Sequence, residues 1–179
     1  MNFNFANASL AGEMGIPVNE EYDINQVMSV FNNISDAARS RIHELIDDTP
    51  VVVIDHMEVP MAAVVVLNNE PHFALNADTF NNLFEGEENA VIEIIAHEAC
   101  HLQQVRDGRL IIDNTTRTLT WEGKAYDADE IDPYDESYLD LPWEFEAHEA
   151  GLKELVKLGR FDSLDEGWAT LREAYQNLI

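Results

Sequence analysis

The feature that most constrains this chain is the pentapeptide His97-Glu98-Ala99-Cys100-His101, set inside a stretch from residue 87 to 106 whose apolar residues recur at helical spacing. Val91, Ile95 and Leu102 continue one side of that stretch, and Ile94 and Val105 flank the histidines. The spacing predicts one long helix, ended by Gly108 where left-handed geometry costs least. Residues four apart on a helix share a face, so the two imidazoles point the same way and can grip a single ion. Glu98, the next residue after His97, is turned about 100° around the axis. Its carboxylate can therefore reach a water activated by that ion without ligating the ion, which is the placement of a general base.

A catalytic zinc takes three protein ligands and keeps one position open, so a further ligand is needed. A second helical run, residues 143–158 with Pro142 in its first turn, offers Glu144 and Glu146. At about 100° per residue, Glu144 shares a side with His148, Leu152, Leu155 and Leu158, while Glu146 falls with Lys153 and Lys157. Glu144 faces inward and is the expected third ligand; Glu146 is expected to be a solvated partner of Lys153 or of the helix N-terminus. Asp107 ranks lower, because a helix running to Gly108 carries it about 9 Å beyond His101 along the axis. Of the available oxyanion donors, Tyr138 is preferred to Tyr126 and His72, since it enters just before the ligand helix. Cys100 reads as a small buried hydrophobe rather than a ligand.

At 179 residues, 46% of them hydrophobic, the chain can build one ordinary domain. Residues 1–20 lack any periodicity and are expected to be a flexible arm before a domain spanning 21–179. Helical spacing runs from residue 23 to about 46. Two β-branched runs follow, 51–57 and 61–67, joined by a turn around Pro60, and then a third, 72–76. A short helix is expected at 78–84. After the long helix, residues 109–112 and 116–122 alternate like a hairpin, followed by a Pro- and Asp-rich loop from 127 to 141. Ser163 and Glu166 are spaced as a capping box for a last helix that would bury Leu164, Trp168, Leu171, Tyr175 and Leu178. The expected class is α+β: a small mixed or antiparallel sheet with an active-site helix and C-terminal helices.

Ten Lys and Arg stand against 35 Asp and Glu, a formal net charge of −25. Such a surface repels nucleic acid and anionic membranes and draws in basic peptides or proteins, although acidity also serves solubility by itself. Cys100 is the single cysteine, so no intramolecular disulfide can form. The N-terminal residues lack a basic region followed by an apolar stretch, and the apolar runs at 51–54 and 62–67 are far below membrane-spanning length. A cytoplasmic location is expected.

HExxH followed by a downstream helix bearing Glu144-x-x-Ala147 resembles the gluzincin metallopeptidases, the thermolysin-like group of the zincins. The resemblance implies a zincin-like domain with zinc as cofactor, held by His97, His101 and Glu144. It implies hydrolysis of a peptide or protein substrate, as an endopeptidase, with Glu98 as general base. In that group the residue four positions after the glutamate often orients a zinc-bound histidine. Here that residue is His148, where Asp or Asn is usual; it could do so or be a satisfied core histidine. Zincins commonly place an edge strand just before the active-site helix, where substrate adds as a further strand, and Phe73-Ala74-Leu75-Asn76 would match. Trp121-Glu122-Gly123-Lys124-Ala125-Tyr126, Tyr138 and Leu141-Pro142-Trp143-Glu144 are also similar to small predicted metallopeptidases of phages and bacteria. The alternative is a non-catalytic zinc protein, structural or regulatory, such as a phage assembly component, in which a fourth protein ligand closes the site.

Overall fold

The computed structural model describes residues 35–45, 51–54, 62–67, 70–76, 88–113 and 116–177. In chain order the elements are α1 (Asp36–Leu45), β1 (Val51–Ile54), β2 (Ala62–Leu67), β3 (Glu70–Asn76), α2 (Glu88–Arg106), β4 (Leu110–Asp113), β5 (Thr118–Trp121), β6 (Lys124–Asp127), α3 (Pro142–Lys157) and α4 (Leu164–Gln176). The class is α+β. The expected arm at 1–20, the first part of the 23–46 helix and the 78–84 helix lie outside the described residues. Among the described residues no helix is long and apolar enough to cross a membrane.

The first sheet has the order β1-β3-β2, with β1 parallel and β2 antiparallel to β3. The turn expected around Pro60 lies outside the described residues, and this topology corrects one expectation. The segment Phe73-Ala74-Leu75-Asn76 is the centre of this sheet and not its edge, because β1 pairs with those same residues on one side and β2 on the other. Pro71 disguised the start of β3. It is tolerated because β1 pairing begins only at Phe73, so the missing proline N–H falls beyond that ladder.

The second sheet is a meander, β4-β5-β6, whose first hairpin the alternation predicted. The strand β6 begins within the 121–126 motif, whose spacing gives no sign of a third strand. Its connection to β5 is two residues long, Glu122 and Gly123, with φ of 47° and 85°, the positive pair that matches the twist of a hairpin. Two short 3-10 turns, Ala128–Glu130 and Glu136–Asp140, occupy the acidic connection from β6 to α3.

Helix α2 is the axis of the molecule. Its N-terminal half packs Val91, Ile92, Ile94 and Ile95 with Ala38 and Ile42 of α1, Phe73 of β3 and Leu155 of α3. Near its C-terminal end Val105 meets a second apolar cluster of Leu110, Trp121 and Trp143. The helix stops as expected, with Gly108 N–H bonded to the Val105 carbonyl and Arg109 N–H to that of Gln104, each at 3.0 Å. Helix α3 begins with Pro142 at its first turn and lies along α2. The two helices meet closely at Gly151, where an added Cβ would stand 2.8 Å from the Glu93 carbonyl oxygen. Helix α4 is capped by Ser163, whose hydroxyl accepts from Glu166 N–H, while the Glu166 carboxylate accepts from Asp162 N–H. Leu164, Trp168, Leu171 and Tyr175 are only half-buried, and Gly167 is the fully buried residue of this helix, because α4 covers α3 from outside.

Arg41 of α1 donates to both carboxylate oxygens of Glu154 on α3, at 2.7 and 3.0 Å. Burial alone would raise the Glu154 carboxyl above its ordinary value, but the bonds from Arg41 and Lys157 bring it below. A carboxyl lowered in the fold stabilises the fold above its unfolded pKa and loses that contribution as pH falls through the folded value. Glu154→Gln should therefore lower the denaturation midpoint at neutral pH, and its gap from wild type should close on acidification below the ordinary carboxyl value of 4.5. Gly151→Ala should destabilise the fold by about 1–3 kcal/mol in denaturant titration, since the clash is with backbone and the helices must separate.

Candidate metal centre

Between the two apolar clusters, α2 turns a polar stripe toward α3. Glu93, His97, His101 and Gln104 succeed one another at spacings of three and four, and α3 answers with Glu144 and His148. His97, His101 and Glu144 are all buried. The Nε2 atoms of the two histidines are 2.9 Å apart, and Glu144 Oε2 lies 3.3 Å from each. A tetrahedral ion with bonds of roughly 2.0–2.1 Å holds its ligand atoms about 3.3 Å from one another, which the two Glu144 edges match while the edge between the histidines is shorter. The donor set, two imidazoles and a carboxylate, also suits a borderline divalent ion. Among the described residues no fourth His, Cys, Asp or Glu joins these three as a convergent group.

The charges in this pocket act on one another. Burial would raise the Glu144 carboxyl, but hydrogen bonds with His101 and His97 hold it well below the usual carboxylate range. Burial likewise lowers His101, and the facing Glu144 more than offsets this, raising it to about 9. Glu98 is buried beside the triangle, with Oε1 3.9 Å from His97 Nε2 and Oε2 lacking any hydrogen-bond partner. Burial dominates there and pushes its carboxyl up. Tyr138 lines the same cavity, and burial followed by the Glu144 charge drives its phenol far above its ordinary value, so it stays a neutral O–H donor. The cavity has a volume of about 410 Å³. Its other walls are apolar: Ala62, Ala63 and Val64 of β2 on one side, and Leu110, Ile112 and Leu119 of the meander on another.

The remaining candidates are placed elsewhere. Asp107 is exposed and accepts from Gln103 Nε2 at 2.8 Å. Tyr126 packs edge-on against Trp143, and His72 is buried on β3; neither lines the cavity. Cys100 is half-buried, its thiol pushed up to about 11 by burial, and it belongs to neither group of ligand atoms. Glu146 is not the partner of Lys153, which pairs with Glu149. The N-terminal part of α3 lies against the end of α2, so Glu146 accepts from Gln104 Nε2 and Arg109 Nη1 before it reaches solvent.

Glu93 and Gln104 escaped the sequence reading, although both continue the histidine face at helical spacing. Glu93 Oε1 lies 3.2 Å from His148 Nδ1, and the His148 ring sits 4.3 Å from that of His97. Glu93, His97 and His148 form a second group within metal-ligand reach, but it shares His97, whose Nε2 already faces His101 and Glu144. The Glu93–His148 pair thus stands beside the triangle and backs its first histidine. Burial lowers His148 below its ordinary value, outweighing the Glu93 bond.

No protein-family model matches the chain, and it has no significant match among curated proteins or solved structures. Its own geometry carries the reading: a buried group of two histidines and a glutamate that could hold a metal ion. Glu144→Ala should weaken divalent-ion affinity, followed by zinc or cobalt titration, by more than the roughly 10–100-fold typical of a supporting residue. Glu146→Ala should cost far less, and equal affinities in the two variants would remove Glu144 from the ligand set.

Proposed function

We propose that the chain is a zinc-dependent peptidase that cleaves extended peptide segments, with His97, His101 and Glu144 holding the ion and Glu98 serving as general base. One observation carries the reading. Three buried ligand atoms converge without a fourth among the described residues, and a carboxylate with an unpartnered oxygen, Glu98, stands next to them in the same open cavity. A structural site usually closes with four protein ligands. His148 does not join these three: its Nδ1 meets Glu93, and its buried Nε2, which has no hydrogen-bond partner, is not among the convergent atoms. Zinc bound at these ligands would supply a Lewis acid that polarises a carbonyl oxygen and acidifies a water.

The protein groups supply the rest. Glu98 Oε2 takes the proton of the attacking water and delivers it to the departing amine nitrogen. A carboxyl raised by burial is the better suited to this, because a general base works best with a pKa near the working pH. The Tyr138 hydroxyl, kept protonated, donates to the oxyanion that develops on the scissile carbonyl. The β2 strand is an edge of the described sheet and lines the cavity, so it takes over the substrate-pairing place that the resemblance gave to Phe73-Ala74-Leu75-Asn76. The net charge of −25 favours substrates with basic residues outside the cleft.

Glu98→Gln keeps the size of the side chain and removes its basicity. It should retain stoichiometric zinc in metal analysis while hydrolysis of a denatured protein substrate falls by roughly 10²–10⁴-fold. Unchanged hydrolysis in that variant, or a purified wild-type chain that takes up no zinc, would sink the proposal.

A further inference from the structure

Gln104 lies at the histidine face of α2 three residues beyond His101 and is only 1% exposed. A primary amide has a nitrogen that only donates and an oxygen that only accepts. Both ends are engaged here. Nε2 lies 3.1 Å from the Trp143 carbonyl and 2.9 Å from Glu146 Oε2, and Oε1 lies 2.8 Å from His101 Nδ1. A carbonyl and a carboxylate are both acceptors, so together they fix which end of the amide is nitrogen. The end facing His101 is therefore oxygen, and Nδ1 of His101 must be the donor.

That assignment selects the chemistry of the ring. With its proton held at Nδ1, His101 has Nε2 turned toward His97 Nε2 and Glu144 Oε2 as the atom free to ligate. His97 lacks such a partner: its Nδ1 is buried without a hydrogen bond. Gln104 is itself held from outside. Glu146 accepts from Arg109 Nη1 at 3.1 Å, and the Arg109 guanidinium lies 4.5 Å above the Trp121 ring and also bonds Glu122. A continuous set of contacts thus runs from the β4–β5 hairpin through Glu146 of α3 to one imidazole of the centre.

We propose that Gln104 is a positioning residue that locks His101 in the Nδ1–H form with Nε2 aimed at the ion site, and that Glu146, clamped by Arg109, anchors it. This role rests on the metal-binding part of the proposed function, but the protonation of Nδ1 is testable without any ion. A residue that merely joined two helices would alter stability and leave the ring proton where it is.

The test is nitrogen-15 NMR of the full chain, zinc-loaded and, at a pH high enough to leave the His101 ring neutral, zinc-free, with zinc affinity measured against a competing chelator. The expected result is a slowly exchanging Nδ1–H on His101 in both states of wild type. Gln104→Met, similar in length but without the amide, should lose that slow proton and bind zinc roughly 10–100-fold more weakly. Glu146→Ala should give a smaller loss of affinity with faster exchange of the same proton. A wild-type His101 without a proton on Nδ1 overturns the proposal, and this holds even if Gln104→Met fails to fold. So does a folded Gln104→Met that matches wild type in both signal and affinity. A wild-type chain that binds no zinc would defeat the metal reading, while the zinc-free spectrum would still decide the role of Gln104.

Discussion

One carboxylate between two imidazoles is the constraint around which the helices are arranged. Glu144 reaches across from α3 to within 3.3 Å of both His97 and His101, and all three groups are withdrawn from water. Burying such groups singly is strongly unfavourable, so each is tolerable only because the others are there to meet it. The apolar clusters on either side supply the surplus that holds the helices at this separation: Ile92, Ile95 and Phe73 toward one end, Trp121 and Trp143 toward the other. Polar chemistry is thereby confined to a short stretch of an otherwise apolar contact.

Within that stretch two glutamates are driven in opposite directions. Hydrogen bonds from the histidines hold Glu144 well below the usual carboxylate range, whereas burial dominates at Glu98 and raises it. Pairs of like groups whose surroundings separate their proton affinities divide into distinct roles. Glu144 is the member whose charge the histidines favour; Glu98 is the member whose charge burial opposes. Among the described residues no Lys or Arg lines the cavity, so within them the positive charge to balance these carboxylates comes from the histidines.

Much of this was legible in the sequence because helices write their faces into residue spacing. The 97–101 pentapeptide, the inward face of Glu144, the stop at Gly108 and the start at Pro142 are all local periodic facts, and the helices carry them. What was not legible depends on partners distant in the chain. Strand order is one case, since the run at residues 73–76 reads equally well as an edge or a centre until β1 and β2 are seen to flank it. Glu146 is another: helical spacing puts it with Lys153, but the end of α2 brings Arg109 and Gln104 nearer. Glu93 and Gln104 lie on the histidine face one turn beyond the pentapeptide on either side, so their spacing is a local signal too.

The register of α3 decides whether a centre exists at all, and three residues outside the ligand set fix it. Pro142 starts the helix, Trp143 is sunk in the second apolar cluster, and Gly151 permits contact with the Glu93 backbone. A slip of one residue would rotate the helix by about 100°. It would bring Phe145, now 43% exposed and stacked on Trp168, toward the histidines in place of Glu144. It would also withdraw Gly151 from the point of closest approach and set a side chain against the Glu93 carbonyl. The same packing that stabilises the helix pair therefore selects the carboxylate that faces the imidazoles, so altering the Trp143 or Gly151 contacts would disturb the centre without touching a ligand.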